Sequence, residues 1–338
     1  MSILLLIPYD TGGCLRSLHL PLLCPRASGR RAPCIRSLLP PAPLFGFNIG
    51  SGTSSDGTPT PFSQSDIDTD LLRPALFSRL AYCSSGSVSG LSCGAPCSAV
   101  STIQVLQTGG DGGSIPKFFV ASDPDSQSIV VAHQGTDPSN ILSIANDIEF
   151  KQVAMNSTLF PSAASGSLVH DGFQDTQGRT ADEVLSAVQS ALSSTGFKRV
   201  LCTGHSLGAA VATLDATMLR MQLPSDVEVD SVVFGLPRVG NQQFANMIDS
   251  ILPGFTHVTN QHDPVPTVPP QDLSFQHPSG EVHITAVSSD GNDATMEACP
   301  GQENSKCSDG NSEFDASVSN HLGPYFETIS FGGNACPA

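Results

Sequence analysis

The sequence predicts an α/β protein whose central, mostly parallel sheet is covered by helices on both faces. Three observations predict it. From residue 118 onward, short β-rich apolar runs alternate with helical patterns, the arrangement of βαβ units. Between residues 199 and 215 an apolar run passes through a tight Gly-x-Ser-x-Gly turn directly into a helical run. The composition is that of an ordinary globular chain, with 39% hydrophobic residues and no Trp. No internal repeat competes with this reading, and 338 residues suffice for one large α/β domain with a tail.

The elements follow in order. Residues 66–83 carry helical periodicity, with Leu71, Leu72, Ala75, Leu76, Phe77, Leu80 and Ala81 apolar. Residues 118–120 and 128–132 read as strands, separated by Ser122-Asp123-Pro124-Asp125-Ser126, which supplies turn chemistry. Residues 180–195 form a helix that Thr180 caps, with Glu183 three residues on and Gly196 closing it. A strand at 198–203, a helix at 206–221, a strand at 229–234, a helix at 241–252 and a strand at 255–259 complete the alternation.

Residues 1–61 read differently. Five arginines against the single acid Asp10 give residues 1–50 a net charge of +4, so the remainder carries -20 of the total -16. Ile3-Leu4-Leu5-Leu6-Ile7 is short for a signal core and no basic residue precedes it. Residues 50–61 have Gly/Ser/Thr/Pro linker composition. The expectation is a disordered or mis-assigned extension over 1–61 and one domain over 62–338. The acidic balance argues against nucleic acid or an anionic membrane as partner, and no apolar run reaches transmembrane length.

Seven cysteines lie beyond the linker. Cys202 falls inside the strand before the tight turn and reads as a free core thiol. The other six can pair as three disulfides, which implies an oxidising compartment. Fifteen pairings are possible. None has histidine partners at metal-site spacing, so no metal is expected. Asn156-Ser157-Thr158 is an N-glycosylation sequon.

Thr203-Gly204-His205-Ser206-Leu207-Gly208 carries the chemistry. A strand, a sharp turn and a helix form the context of a nucleophile elbow: the turn strains the serine backbone and presents its hydroxyl beside helix N-terminal N–H groups. The acid belongs in a loop just past a strand. Asp263 fits, because it follows the strand at 255–259 and Pro264 and Pro266 stiffen its loop; Asp272 follows no clear strand. Three histidines lie downstream. His283 alternates with Val282 and Ile284 in a strand and reads as structural, whereas chain order leaves His277 and His321 both open as the base.

Four segments together resemble the class 3 lipase family of secreted fungal triacylglycerol lipases and feruloyl esterases. These are residues 203–210, Phe234-Gly235-Leu236-Pro237-Arg238-Val239-Gly240-Asn241, the Asn260…Asp263-x-Val265-Pro266 loop, and His321-x-x-x-Tyr325-Phe326. The resemblance spans roughly residues 62–338. It implies an α/β-hydrolase fold with Ser206 as nucleophile, Asp263 as acid and His321 as base. It implies oxyanion donors at Thr136 and Leu207, with Gln134 standing where the family usually has arginine. It also implies the disulfides Cys83–Cys336, Cys93–Cys97 and Cys299–Cys307.

After Thr136, Asp137-Pro138 opens a short helix with Ile141, Leu142, Ala145 and Ile148 on one face. In the resembled family this segment is a lid. The expectation is therefore a secreted serine carboxylester hydrolase that needs no cofactor and acts on esters at a lipid–water interface. A feruloyl or short-acyl esterase with the same machinery is the nearest alternative. A catalytically silent binding protein on this fold is the other.

Overall fold

A computed structural model describes residues 57–136 and 150–336. Its strands are β1 (Thr60–Phe62), β2 (Gln104–Gly109), β3 (Phe118–Asp123), β4 (Ser128–His133), β5 (Gln152–Ala154), β6 (Leu168–His170), β7 (Arg199–His205), β8 (Glu228–Phe234), β9 (Thr256–Asn260), β10 (Glu281–Val287) and β11 (Ala294–Cys299). The main helices are α1 (Leu72–Leu80), α2 (Asp171–Gly178), α3 (Ala181–Thr195), α4 (Leu207–Gln222), α5 (Gln242–Ile251) and α6 (Val318–Leu322). β5 and β6 pair by themselves. The other strands form one sheet in the order β1-β11-β10-β9-β8-β7-β4-β3-β2.

Strands β4, β7, β8, β9 and β10 run parallel. Both edges are antiparallel, β2 and β3 on one side and β11 and β1 on the other. The sheet is thus parallel at its centre rather than throughout. The reason is the connections: residues 124–127 and 288–293 are turns, too short for the crossover that a parallel pair requires.

The central strands bury both faces, which is why their sequences are almost continuously apolar. Phe118, Val120, Val200 and Cys202 point into one core with Val188, Leu214 and Phe244. Phe119, Ala121, Leu201 and Val232 point into the other with Phe77, Leu80, Tyr325 and Phe331. Burying a large side chain contributes roughly 1.5–3 kcal/mol, so these two layers supply most of the folding drive.

Local chemistry departs from expectation in three places. The helix expected over 66–83 begins at a capping box between Ser63 and Asp66, and a π turn (Ile67–Leu71) precedes α1. Thr180 does not cap α3 through its side chain; its hydroxyl donates to Gln177 O, and Glu183 accepts from Gln107 Nε2 instead. Gly196 does close α3, at φ 73°. Strand β1 begins inside the segment expected to be linker, and Asn304 Nδ2 donates to Gly57 O at 3.2 Å. Strand β1 thus overlaps the expected linker by two residues, Thr60 and Pro61, and Pro61 is accommodated because β1 is an edge strand.

Disulfides join Cys83 to Cys336, Cys93 to Cys97 and Cys299 to Cys307, while Cys202 is a buried free thiol. Asn156 is exposed on a turn, its Oδ1 accepting from Thr158 N–H at 2.9 Å. Ile141, Leu142 and Ile148 lie outside the described residues. Among the described residues no helix is long and apolar enough to cross a membrane.

Candidate active site

Ser206 stands between β7 and α4 with φ 61° and ψ -128°, a conformation that costs an L-residue free energy. Two glycines make the turn sterically possible. A methyl on Gly204 would stand 2.3 Å from Gly208 O, and one on Gly208 would stand 2.4 Å from His133 O. The elbow therefore closes against the loop that follows β4. Ser206 N–H donates to Phe234 O at the end of β8 (3.0 Å), which fixes the turn to the sheet. Leu207 is the first residue of α4, so its N–H has no intrahelical acceptor.

The loop after β4 is held from both sides. His133 Nε2 lies 2.7 Å from Asp215 Oδ2, and Gln177 Nε2 donates to the other carboxylate oxygen at 2.8 Å. Gln134 is buried. Its N–H donates to Lys117 O (2.8 Å) and its Oε1 accepts from Lys117 N–H (3.1 Å), so it is tied to the start of β3. A methyl on Gly135 would stand 3.0 Å from Ser206 Cβ, which puts this backbone directly beside the serine. Thr136 Oγ1 is buried and has no hydrogen-bond partner among the described residues. A buried orphan hydroxyl at such a place is costly in an empty site and useful in an occupied one.

The structure brings Asp263 and His321 together. Asp263 Oδ2 lies 2.8 Å from His321 Nδ1, and Oδ1 accepts from Val265 N–H at 2.8 Å. Both side chains are 0–1% exposed. Since the carboxylate accepts, Nδ1 carries the imidazole proton and Nε2 keeps its lone pair. His321 Nε2 has no hydrogen-bond partner among the described residues. Asn260 Nδ2 donates to Asn320 O (2.8 Å) and Pro324 O (3.1 Å), tying the end of β9 to the histidine loop. The rings of His205 and His321 are 4.4 Å apart, so the neighbour of Ser206 in the elbow touches the imidazole.

The competing residues go elsewhere. His277 is buried, with Nε2 2.9 Å from Pro266 O and its ring stacked on His257; burial pushes its pKa down to about 3. His283 lies in β10, its Nδ1 2.8 Å from Thr259 Oγ1, and burial lowers its pKa to about 4. Asp272 is exposed on a 3-10 turn.

Two features were not singled out from the sequence. Tyr82 and His205 are buried beside the site. Arg238 is also buried, and its guanidinium binds Glu303 (2.9 and 3.1 Å), Asp309 (2.9 Å) and the carbonyls of Thr267 (2.5 Å) and Pro269 (3.1 Å). Arg238 lies inside the Phe234–Asn241 motif, but nothing local in the sequence marks which distant acids reach it.

A family model described as Lipase (class 3) matches residues 130–273. A secreted mono- and diacylglycerol lipase of Malassezia globosa is 34% identical over 274 residues, covering 80% of this chain and 85% of the relative. Another, from Malassezia restricta, is 37% identical over 216 residues, 63% of this chain; the chain spans 66% of that relative's length, just under two thirds. Among solved structures, a triacylglycerol lipase described as having a serine-protease triad for its catalytic centre superposes with a TM-score of 0.71. It is 26% identical, and the match covers 83% of this chain and all of that one. Lipase II from Rhizopus niveus gives a TM-score of 0.70 at 26% identity with the same coverage. The fold is that of these α/β-hydrolases.

Proposed function

The chain belongs to the class 3 lipase family, and from that premise we propose that it is a serine carboxylester hydrolase acting on acylglycerol esters through Ser206, His321 and Asp263. The observation that carries the reading is the buried His321–Asp263 pair at 2.8 Å beside a strained elbow serine, with Nε2 of that histidine unpartnered among the described residues. Ser206 Oγ attacks the ester carbonyl while His321 Nε2 takes its proton, and Asp263 holds the Nδ1–H tautomer and steadies the imidazolium. The oxyanion meets the N–H groups of Thr136 and Leu207, with the Thr136 hydroxyl available as a third donor. His321 then protonates the leaving alcohol. Water, activated by the same base, releases the acid and restores Ser206.

The relatives named as mono- and diacylglycerol lipases support that substrate class, and their names together with the three disulfides support secretion. The exposed turn at Asn156 supports its use as a glycan acceptor. In this reading residues 141–148 act as a lid whose apolar side chains cover the site in water and face lipid when it opens. The test is a fluorophosphonate label with a substrate panel. Labelling of Ser206 and hydrolysis of monoacyl- and diacylglycerols are expected, with Ser206→Ala silent in both assays. Preference for methyl ferulate over acylglycerols overturns the substrate class, and an unlabelled, inert wild type overturns the activity.

A further inference from the structure

His205 and Tyr82 are buried polar residues that the proton-transfer steps do not use. Tyr82 Oη lies 2.6 Å from His205 Nδ1, and His205 Nε2 lies 2.8 Å from the backbone carbonyl of His321. A carbonyl only accepts, so Nε2 must carry the proton of a neutral imidazole. Nδ1 is then an acceptor, and the Tyr82 hydroxyl must be its donor. Every proton in this chain is assigned by its partners.

The other side of Tyr82 reaches the oxyanion loop. Its hydroxyl oxygen faces the backbone N–H of Gly135, and a methyl on Gly135 would stand 2.3 Å from it. The His205 ring is clamped by Phe331, stacked at 4.4 Å and 16°, and by Tyr325 edge-on at 6.2 Å. The titratable groups facing His205 are therefore Tyr82, Tyr325 and His321. Burial first, and then the neighbouring His321, hold its pKa well below the ordinary histidine value, so it stays neutral when His321 is charged.

We propose that Tyr82 and His205 are positioning residues, a directed hydrogen-bond relay that sets the oxyanion loop at Gly135–Thr136 and the backbone of His321 in register with Ser206. The proposal rests on the hydrolase reading above. The relay joins three segments distant in sequence: the end of the first helical region, the loop after β4 and the histidine loop. His205 sits next to Ser206 in the elbow, so both ends of the relay are measured from the nucleophile. Loss of the Tyr82–His205 link leaves Nδ1 buried and unpaired and releases the loop that carries Thr136. Misplacement of a donor by about 1 Å costs on the order of a hundredfold in rate, and it acts on the transition state rather than on substrate binding.

The experiment measures kcat, KM, the fluorophosphonate labelling rate and Tm for wild type, Tyr82→Phe, His205→Gln, the double variant and Ser78→Ala. Glutamine keeps a donor near the position of Nε2 but offers nothing at Nδ1, so it cuts the same link as Tyr82→Phe. Ser78 makes a buried 2.7 Å hydrogen bond to the Thr203 side chain within β7, on neither the Gly135–Thr136 loop nor the histidine loop that the relay joins, and serves as the stability control. The expected result is a loss of about tenfold to a hundredfold in kcat with little change in KM for each single variant. The double variant is expected to be no worse than the poorer single one, because both remove one link. Ser78→Ala is expected to lower Tm with kcat retained. Lowered Tm with unchanged kcat in Tyr82→Phe overturns the relay, as does a fully additive double variant. If Tyr82→Phe does not fold, His205→Gln carries the same comparison. An imidazole nitrogen spectrum of wild type gives a reading independent of activity: His205 is expected neutral with Nε2 protonated. A charged or Nδ1-protonated His205 overturns the relay, whereas an unlabelled, inert wild type with the expected spectrum overturns the hydrolase reading alone.

Discussion

Ser206 Oγ becomes a nucleophile only if its proton has a destination, and His321 Nε2 is a buried acceptor with no other partner among the described residues. Members of such a unit fail together. Ser206→Ala and His321→Ala are each expected to reduce turnover by roughly 10⁴ to 10⁶ with the fold retained. Asp263→Asn is expected to cost about 10⁴ by favouring the wrong tautomer. His277→Ala is expected to lower stability but leave most turnover, since among the described residues its contacts are the Pro266 carbonyl, the Glu303 carboxylate through its N–H, the His257 ring and the nearby Arg238 charge, and none is Ser206, Asp263 or His321. Steady-state rates with thermal melts check all four; a dead His277→Ala beside a working His321→Ala reverses the assignment. At this scale the sequence was informative where chemistry is local. The elbow and the Asp263 loop were legible from their glycines and prolines. His277 and His321 were not separable from order alone, because their difference lies in which loop folds over Asp263. Tyr82 was not legible, because a tyrosine beside a cysteine at the end of an apolar helix reads as core.

Among the elements, the segment between Cys299 and Cys307 does more than close a short loop. It carries Glu303, whose two oxygens hold Arg238 and whose Oε1 also accepts from His277 N–H. Arg238 in turn gathers the carbonyls of Thr267 and Pro269, and its own N–H donates to Val268 O. The chain just after Asp263 is thus pinned to a buried ion pair. Removing one partner leaves the other charge buried, which costs about 3–5 kcal/mol, whereas replacing both with apolar groups of similar volume is far milder. Glu303→Ala is expected to lose that stability and to lower kcat, because the Asp263 loop loosens. The pair Arg238→Met with Glu303→Leu is expected to recover much of the stability but not the full rate, since the carbonyl contacts stay lost. Urea unfolding with kinetics on the same samples checks it; additive losses in the double variant contradict the ion-pair account. Sequence periodicity found the strands and helices here because both sheet faces are buried. It could not show Thr180 donating to Gln177 instead of capping α3, which depends on a neighbouring helix end.

For the whole molecule, the Cys83–Cys336 bond ties the end of the first helical region to the C-terminal segment across a sequence separation of 253. Loop entropy predicts its largest effect for such a long closure, so Cys83→Ser with Cys336→Ser is expected to lose about 2–5 kcal/mol in urea unfolding, with an unchanged melt contradicting it.

Acid sensitivity is a second property of the whole fold. Burial lowers His257 to about 4, His277 to about 3 and His283 to about 4, and holds His205 well below its ordinary value. Below the unfolded value of 6.5 the unfolded chain binds protons that the folded chain refuses. Stability therefore falls as pH drops from about 6.5 toward 4, and is flat with respect to these groups above it. Each histidine contributes at most about 1.4 kcal/mol per pH unit in that window. Asp70 and Asp230, raised to about 6 mainly by burial, work in the opposite direction: the folded chain binds their protons first, so they favour folding as pH falls from 6 toward 3.8. Four histidines outnumber two carboxyls, and Asp70 is only half buried, so the histidines prevail. The expected outcome is a stability plateau above pH 7 and a decline between pH 6.5 and 4. His257→Gln is expected to flatten that decline, because the His257 and His277 rings stack at 4.8 Å and a charge on one disfavours a charge on the other. Urea midpoints at pH 8, 6.5, 5.5 and 4.5 measure it; stability that holds level or rises from pH 6.5 to 4.5 means that buried neutral histidines do not govern the acid response of this fold.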